Sequence, residues 1–190
     1  TGDRQMSAEN SGQPSATARL SILSIDFDEV YQRHLGRHSQ FGINLLHLIA
    51  VYGVYFSIFS VARSAVAAAL PQMTWSELTV LLFGLAVPWL AVLMWNVRTG
   101  ALLLSVLSAI LLSLAAAVWP LPFWLAIASL PAWHQLQQLS HRWYTEHRDM
   151  SRFAAGYPKG ARLVIMLAVF ELPILLQYFL AGDCEPQSGS

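Results

Sequence analysis

Charge is scarce in this chain of 190 residues: Asp, Glu, Lys and Arg together make 12%, against a hydrophobic fraction of 55%. An average soluble domain carries about 25% charged residues. A water-facing surface of this size therefore cannot be covered, whereas lipid-facing helices need no charge. The formal net charge is zero, so the basic footprint that a nucleic-acid partner requires is missing. Cysteine is nearly absent too. Cys184 stands alone near the C-terminus, which excludes an intrachain disulfide and a thiolate metal cluster. It reads as an incidental surface thiol. Residues 1–20 lack the basic start and apolar run of an export signal. Their Ser, Gly, Ala, Gln and Asn content predicts a disordered tail.

What the chain does have is long apolar runs. They predict an all-α, integral membrane helical bundle of about five transmembrane helices, led by an N-terminal amphipathic helix. The membrane-embedded domain is 21–182, and 183–190 is a polar tail. Within 21–41, Ile22, Leu23, Ile25, Phe27, Val30, Tyr31 and Leu35 follow helical spacing. Acidic residues there come early and Arg33 and Arg37 late, which suits a helix dipole on a membrane surface. The spans are expected at 43–62, 78–97, 101–119, from about 123 to 144 with a polar second half, and 162–181. About 20 residues cross a hydrocarbon core of roughly 30 Å. Pro88 is expected to kink the second span, and Trp119-Pro120-Leu121-Pro122 breaks the chain after the third.

Charge sets the expected orientation. With the N-terminus inside, the inner segments hold Arg4, Arg19, Arg33, Arg37, Arg98, Arg142, Arg148, Arg152, Lys159 and Arg162, and the outer segments hold only Arg63. This is a positive-inside pattern. It predicts a cytoplasmic N-terminus and a C-terminus on the opposite side. On that map all six histidines, His34, His38, His47, His134, His141 and His147, fall near the inner interface, although histidine took no part in the counting.

A single interfacial histidine is ordinarily structural. The set is more informative. His34 and His38 stand at i, i+4 and share a helix face; His134 and His141 stand at i, i+7 and share another. Two one-faced pairs at one depth can build a coordination sphere, and neutral imidazoles suit Fe, Zn, Cu and Ni. The expected cofactor is Fe(II), one or two ions, ahead of haem or zinc. Glu146 and Asp149 are carboxylates able to ligate or to orient a ring. Asn44 and Gln137 or Gln138 are candidates for supporting hydrogen bonds. Glu171 lies in mid-span in the run FELPIL, where an ionised carboxylate costs a few kcal/mol, so it is expected to be paired or to line a pocket. Pro173 is expected to leave the carbonyl of Ala168 or Val169 free.

Tyr31, His34, His38, Asn44 and His47, then an apolar middle, then Gln138-Leu139-Ser140-His141 with Glu146 behind it and a final helix carrying a Glu, form a pattern. It resembles the 2-hydroxy fatty acid dioxygenase family of fatty-acid α-oxidation. The resemblance covers 21–52 and 134–180. It implies a small membrane enzyme that uses Fe(II) and O2 to shorten a 2-hydroxy fatty acid by one carbon. His38, His47 and His141 match best as iron ligands, with His34, His134 and His147 as further candidates. Glu146, which belongs to the matched pattern, and Arg37 and Arg142 are the expected catalytic residues; Arg33, Arg37 or Arg142 could pair the carboxylate of such a substrate. The expected partners are therefore a lipid or fatty-acid substrate, O2 and the bilayer, with no nucleic acid. Three other readings compete. A membrane hydroxylase or desaturase would fit the HxxxH box of His34 and His38. A bis-His haem protein would fit His47 with His134. A transporter or scaffold would need no site at all.

Overall fold

The computed structural model describes residues 25–38, 40–144 and 160–182, and the described residues form six helices and no strand. The helices are α1 (Phe27–Arg37), α2 (Phe41–Ala69), α3 (Trp75–Asn96), α4 (Thr99–Val118), α5 (Phe123–Tyr144) and α6 (Ala161–Ala181). The expected tails at 1–20 and 183–190, with Cys184, lie outside the described residues.

The helix ends follow local chemistry. Asp26 caps α1, its side chain accepting from the Glu29 amide at 3.0 Å. Thr74 and Glu77 form a capping box at the start of α3: the Thr74 amide donates to Glu77 Oε2 at 2.8 Å and the Glu77 amide donates to Thr74 Oγ1 at 3.4 Å. Gly182, at φ 64°, ends α6 in the left-handed conformation that glycine adopts without strain. Within the apolar helices, serines avoid unpaired hydroxyls by bonding back one turn. Ser105 donates to the Ala101 carbonyl and Ser113 to the Ala109 carbonyl, each at 2.7 Å.

Four helices are long and apolar enough to cross a membrane: Phe41–Ala69, Trp75–Asn96, Thr99–Val118 and Val164–Ala181. This chain is therefore an integral membrane protein by length and composition of its helices. The expected fifth span, α5, is not among them. Its second half carries His134, Gln135, Gln137, Gln138, His141 and Arg142, and these polar side chains dilute an otherwise apolar helix. α5 nevertheless runs antiparallel along α2. The Leu121 amide donates to Ser60 Oγ at 3.2 Å, Ser129 meets Ser57 at 2.7 Å, and the Tyr144 ring covers Gly42.

α1 does not present its apolar face outward. Phe27, Val30 and Tyr31 are buried in a cluster with Leu93 of α3 and Met166, Phe170, Ile174 and Tyr178 of α6. Two polar ties hold α1 to the turn between α3 and α4: the Ile25 amide donates to Asn96 Oδ1 at 2.8 Å, and Arg98 Nε donates to Asp28 Oδ1 at 2.9 Å.

α6 runs toward the end of the bundle where α2 begins. The Phe179 ring lies 5.6 Å from that of Phe41, and Leu180 packs on Gly100 at the start of α4. The described part of α6 thus ends close to the first turns of α2 and α4.

Candidate metal centre

The site forms where the α1–α2 junction, α5 and α6 meet. His34, in the last turns of α1, stacks on His38 at the C-cap, with ring centroids 4.2 Å apart and planes 13° from parallel. Their i, i+4 spacing makes this possible. Asn44 buckles the junction. Its Oδ1 accepts from His34 Nε2 at 2.8 Å, and its Nδ2 donates to the carbonyls of His38 at 2.6 Å and Gln40 at 3.0 Å. A fully buried amide with all three contacts met is a strong positional constraint.

Three imidazoles then close on one another. Ring centroids are 4.7 Å apart for His38 and His47, 4.9 Å for His38 and His141, and 4.9 Å for His47 and His141. Each offers one nitrogen, and these nitrogens all lie within 4.8 Å of one another. The three histidines could hold a metal ion. Two imidazole nitrogens on one tetrahedral ion with bonds of ~2.05 Å stand about 3.4 Å apart, so small ring rotations bring the group to bonding distance.

The hydrogen bonds decide which nitrogen each ring offers. His38 Nδ1 donates to the His34 carbonyl at 3.3 Å, and His47 Nδ1 donates to Glu171 Oε1 at 3.1 Å. Those acceptors leave the lone pair on Nε2 in both rings. Both Nε2 atoms are buried and without a hydrogen-bond partner. A buried polar atom left unpaired costs about 1–3 kcal/mol; a metal ion would satisfy both at once. Burial, then the neighbouring His34, His47 and His141 rings, hold the His38 pKa well below the usual histidine value of 6.5, against a smaller opposing effect of the His34 carbonyl. His38 is thus neutral and able to ligate at physiological pH.

Glu171 is the partner that orients His47. Its Oε1 also accepts from Gln137 Nε2 at 3.0 Å, giving a carboxylate–histidine arrangement of the kind that fixes metal ligands. Pro173 shapes the same stretch of α6. It has no amide proton for the Val169 carbonyl. Trp89 Nε1 donates to that carbonyl at 2.9 Å, and the Tyr55 hydroxyl donates to the neighbouring Ala168 carbonyl at 2.6 Å.

The structure brings His38, His47 and His141 together, with His34 stacked on His38. His134 is exposed on α5, two turns before His141, and Arg142 is exposed beside it. Gln138 is exposed as well; one residue earlier on the helix, Gln137 faces Glu171. A helix turns about 100° per residue, so the neighbouring position takes the inward face. Glu146, His147 and Asp149 lie outside the described residues, as does the side chain of Arg37. Sequence reasoning missed Trp89 as the donor to the Val169 carbonyl that Pro173 frees and Tyr55 as a donor to the neighbouring Ala168 carbonyl. It also missed Gly42 and Gly53, where a Cβ would run into the rings of Tyr144 and Trp133. The signal for the first pair was Pro173; for the glycines it was their position in an otherwise bulky helix.

The fold and site define a class: an integral membrane helical bundle carrying a three-histidine group that could hold a metal ion. Comparison with protein-family models, curated proteins and solved structures finds no match to this chain.

Proposed function

We propose that this chain is a membrane metalloenzyme that uses Fe(II) and O2 on a lipid substrate, resembling the 2-hydroxy fatty acid dioxygenases. The observation that carries the reading is the pair of buried, unpartnered Nε2 atoms of His38 and His47, converging with His141. Three neutral nitrogen donors suit iron among other first-row metals. They leave positions open for exogenous oxygen ligands, and iron so held would supply O2 activation. The chain's own residues do the rest. Glu171 holds His47 in the ligating tautomer, and Arg142, exposed next to His141, is available to a carboxylate head group.

The site's depth suits an amphiphile. Exposed tryptophans bracket α3 (Trp75 and Trp95) and α5 (Trp124 and Trp143), about 30 Å and 28 Å apart by helical rise. That is the spacing of two membrane interfaces. His141 lies just inside the Trp143 level, so a head group could reach the site from the interface while its tail stays in lipid. Arg33, Arg98 and Arg142 belong to the histidine end, and Arg63 to the other, which favours a cytoplasmic site.

Elemental analysis of the purified full chain, followed by O2 uptake with 2-hydroxypalmitate, tests the reading. Iron at about one ion or more per chain and substrate-dependent uptake are expected, both lost in His47→Ala. Activity in iron-free protein refutes it.

A further inference from the structure

We infer that Tyr55 and Trp89 are positioning residues for the metal centre, acting through the proline break of α6 on Glu171 and hence on His47; this rests on the metal-site reading above. The case starts from Pro173. An interior proline frees the carbonyl four residues back and pushes its neighbours off axis. In a membrane that carbonyl has no water to turn to, so its direction is set by whatever donor the protein supplies. Here two side chains from two other helices supply donors to consecutive carbonyls. Trp89 of α3 binds the Val169 oxygen at 2.9 Å and Tyr55 of α2 binds the Ala168 oxygen at 2.6 Å. The two rings also touch, with centroids 5.4 Å apart, so they form one clamp.

Glu171 sits between the clamped carbonyls and Pro173. Its carboxylate meets His47 Nδ1 at 3.1 Å across 124 residues of sequence. That contact requires the local direction of α6 to be held, and the clamp is what holds it. Trp89 is suited to the task because it packs against all three hydrophobic clusters of the bundle. Its indole is anchored by the whole core rather than by one neighbour. Neither ring belongs to the histidine triad.

The test is Co(II) titration of the full chain in detergent, read by the visible spectrum, which reports ligand geometry. Tyr55→Phe and Trp89→Phe each remove one donor and keep a ring. Each is expected to weaken Co(II) binding by about tenfold, the lower end for groups that orient metal ligands, and to shift the visible band. In a Glu171→Gln background the same changes should cost little more, because the clamp acts through Glu171. A loss that adds in full to that of Glu171→Gln, or wild-type affinity and spectrum in both variants, overturns the inference. Should Trp89→Phe fail to fold, Tyr55→Phe alone decides. Wild-type protein that binds no Co(II), or binds it equally after His38→Ala, His47→Ala and His141→Ala, overturns the metal-site reading and this inference with it. Binding that needs those histidines and ignores Tyr55 and Trp89 overturns this inference only.

Discussion

Gly53→Ala should cost this protein both stability and its metal centre. A Cβ at Gly53 would fall inside the Trp133 indole, contacting three of its ring carbons. A rigid ring system cannot step aside as a lysine tip can. The indole must move, and with it goes the Trp133 Nε1 donation to Ser57 Oγ at 3.3 Å. Overpacking of this kind costs about 1–3 kcal/mol, and the hydrogen bond is worth about 1 kcal/mol. The expected loss is therefore roughly 2–4 kcal/mol, a fall in Tm of roughly 5–15 °C for a chain of this length. The consequence at the site is geometric. His141 lies about 12 Å further along α5 from Trp133, so displacing α5 from α2 pulls His141 away from His47. Thermal melting in detergent reads the first effect and Co(II) titration the second. Gly84→Ala is the matched control, since a Cβ there meets nothing within 4 Å; it should be neutral or stabilise by up to about 1 kcal/mol. Trp133→Leu should restore part of the Gly53→Ala loss, because it removes the obstructing ring. Gly53→Ala with wild-type Tm and wild-type Co(II) affinity would refute the packing of α5 on α2.

Three further outcomes are expected. Glu171→Gln removes the charge that orients His47 and should weaken metal binding by about 10–100-fold, measured by competition with a chelator of known affinity. His141→Ala should abolish Co(II) binding and His134→Ala should leave it unchanged; equal loss in both would show that His134 ligates. Acid should destabilise the metal-free protein: with the folded-state pKa of His38 lowered by burial and by His34, His47 and His141, the unfolded chain binds more protons between that pKa and about 6.5. Stability is then full above about pH 6.5 and falls as pH drops below it, and Tm flat from pH 7.5 to 5 would contradict a buried neutral His38.

The membrane class and the all-helical fold were legible in the long apolar runs, because lipid imposes a one-dimensional rule of length and hydropathy that needs no tertiary information. α5 escapes that rule. Its polar half reads as a helix leaving the membrane, yet it packs along α2 as far as Gly42. What keeps it there is small residues, Gly42, Gly53, Ser57 and Ser60, facing Tyr144, Trp133, Ser129 and Leu121. Hydropathy does not register such shape matching. Gln137 and Gln138 show the limit at single residues: adjacent glutamines differ only in helical phase, and phase is set by which face of α5 the tryptophan presses onto α2.

The candidate site divides into a part that local sequence dictates and a part that only packing can assemble. His34, His38, Asn44 and His47 lie within 14 residues, and one helix turn, one cap and one buried amide are enough to place them. An HxxxH spacing followed by an Asn can therefore be read directly. His141 and Glu171 come from helices far along the chain, and nothing in their own neighbourhoods says that they meet His47. The arrangement needs α5 and α6 to be fixed on α2 to within an ångström or so, and both are fixed by polar contacts that a lipid-facing helix would not otherwise carry: serine and glycine against tryptophan on α5, and the two side-chain donors at the proline break on α6. Polar groups inside a membrane bundle are costly unless satisfied. Here nearly every one near the centre is satisfied by another protein group, and the Nε2 atoms of His38 and His47 are the exceptions at the centre itself. A bundle that meets its hydrogen-bonding needs so completely around two unmet lone pairs is built to present those lone pairs to something else, and the neutral nitrogen donors make a metal ion the fitting ligand.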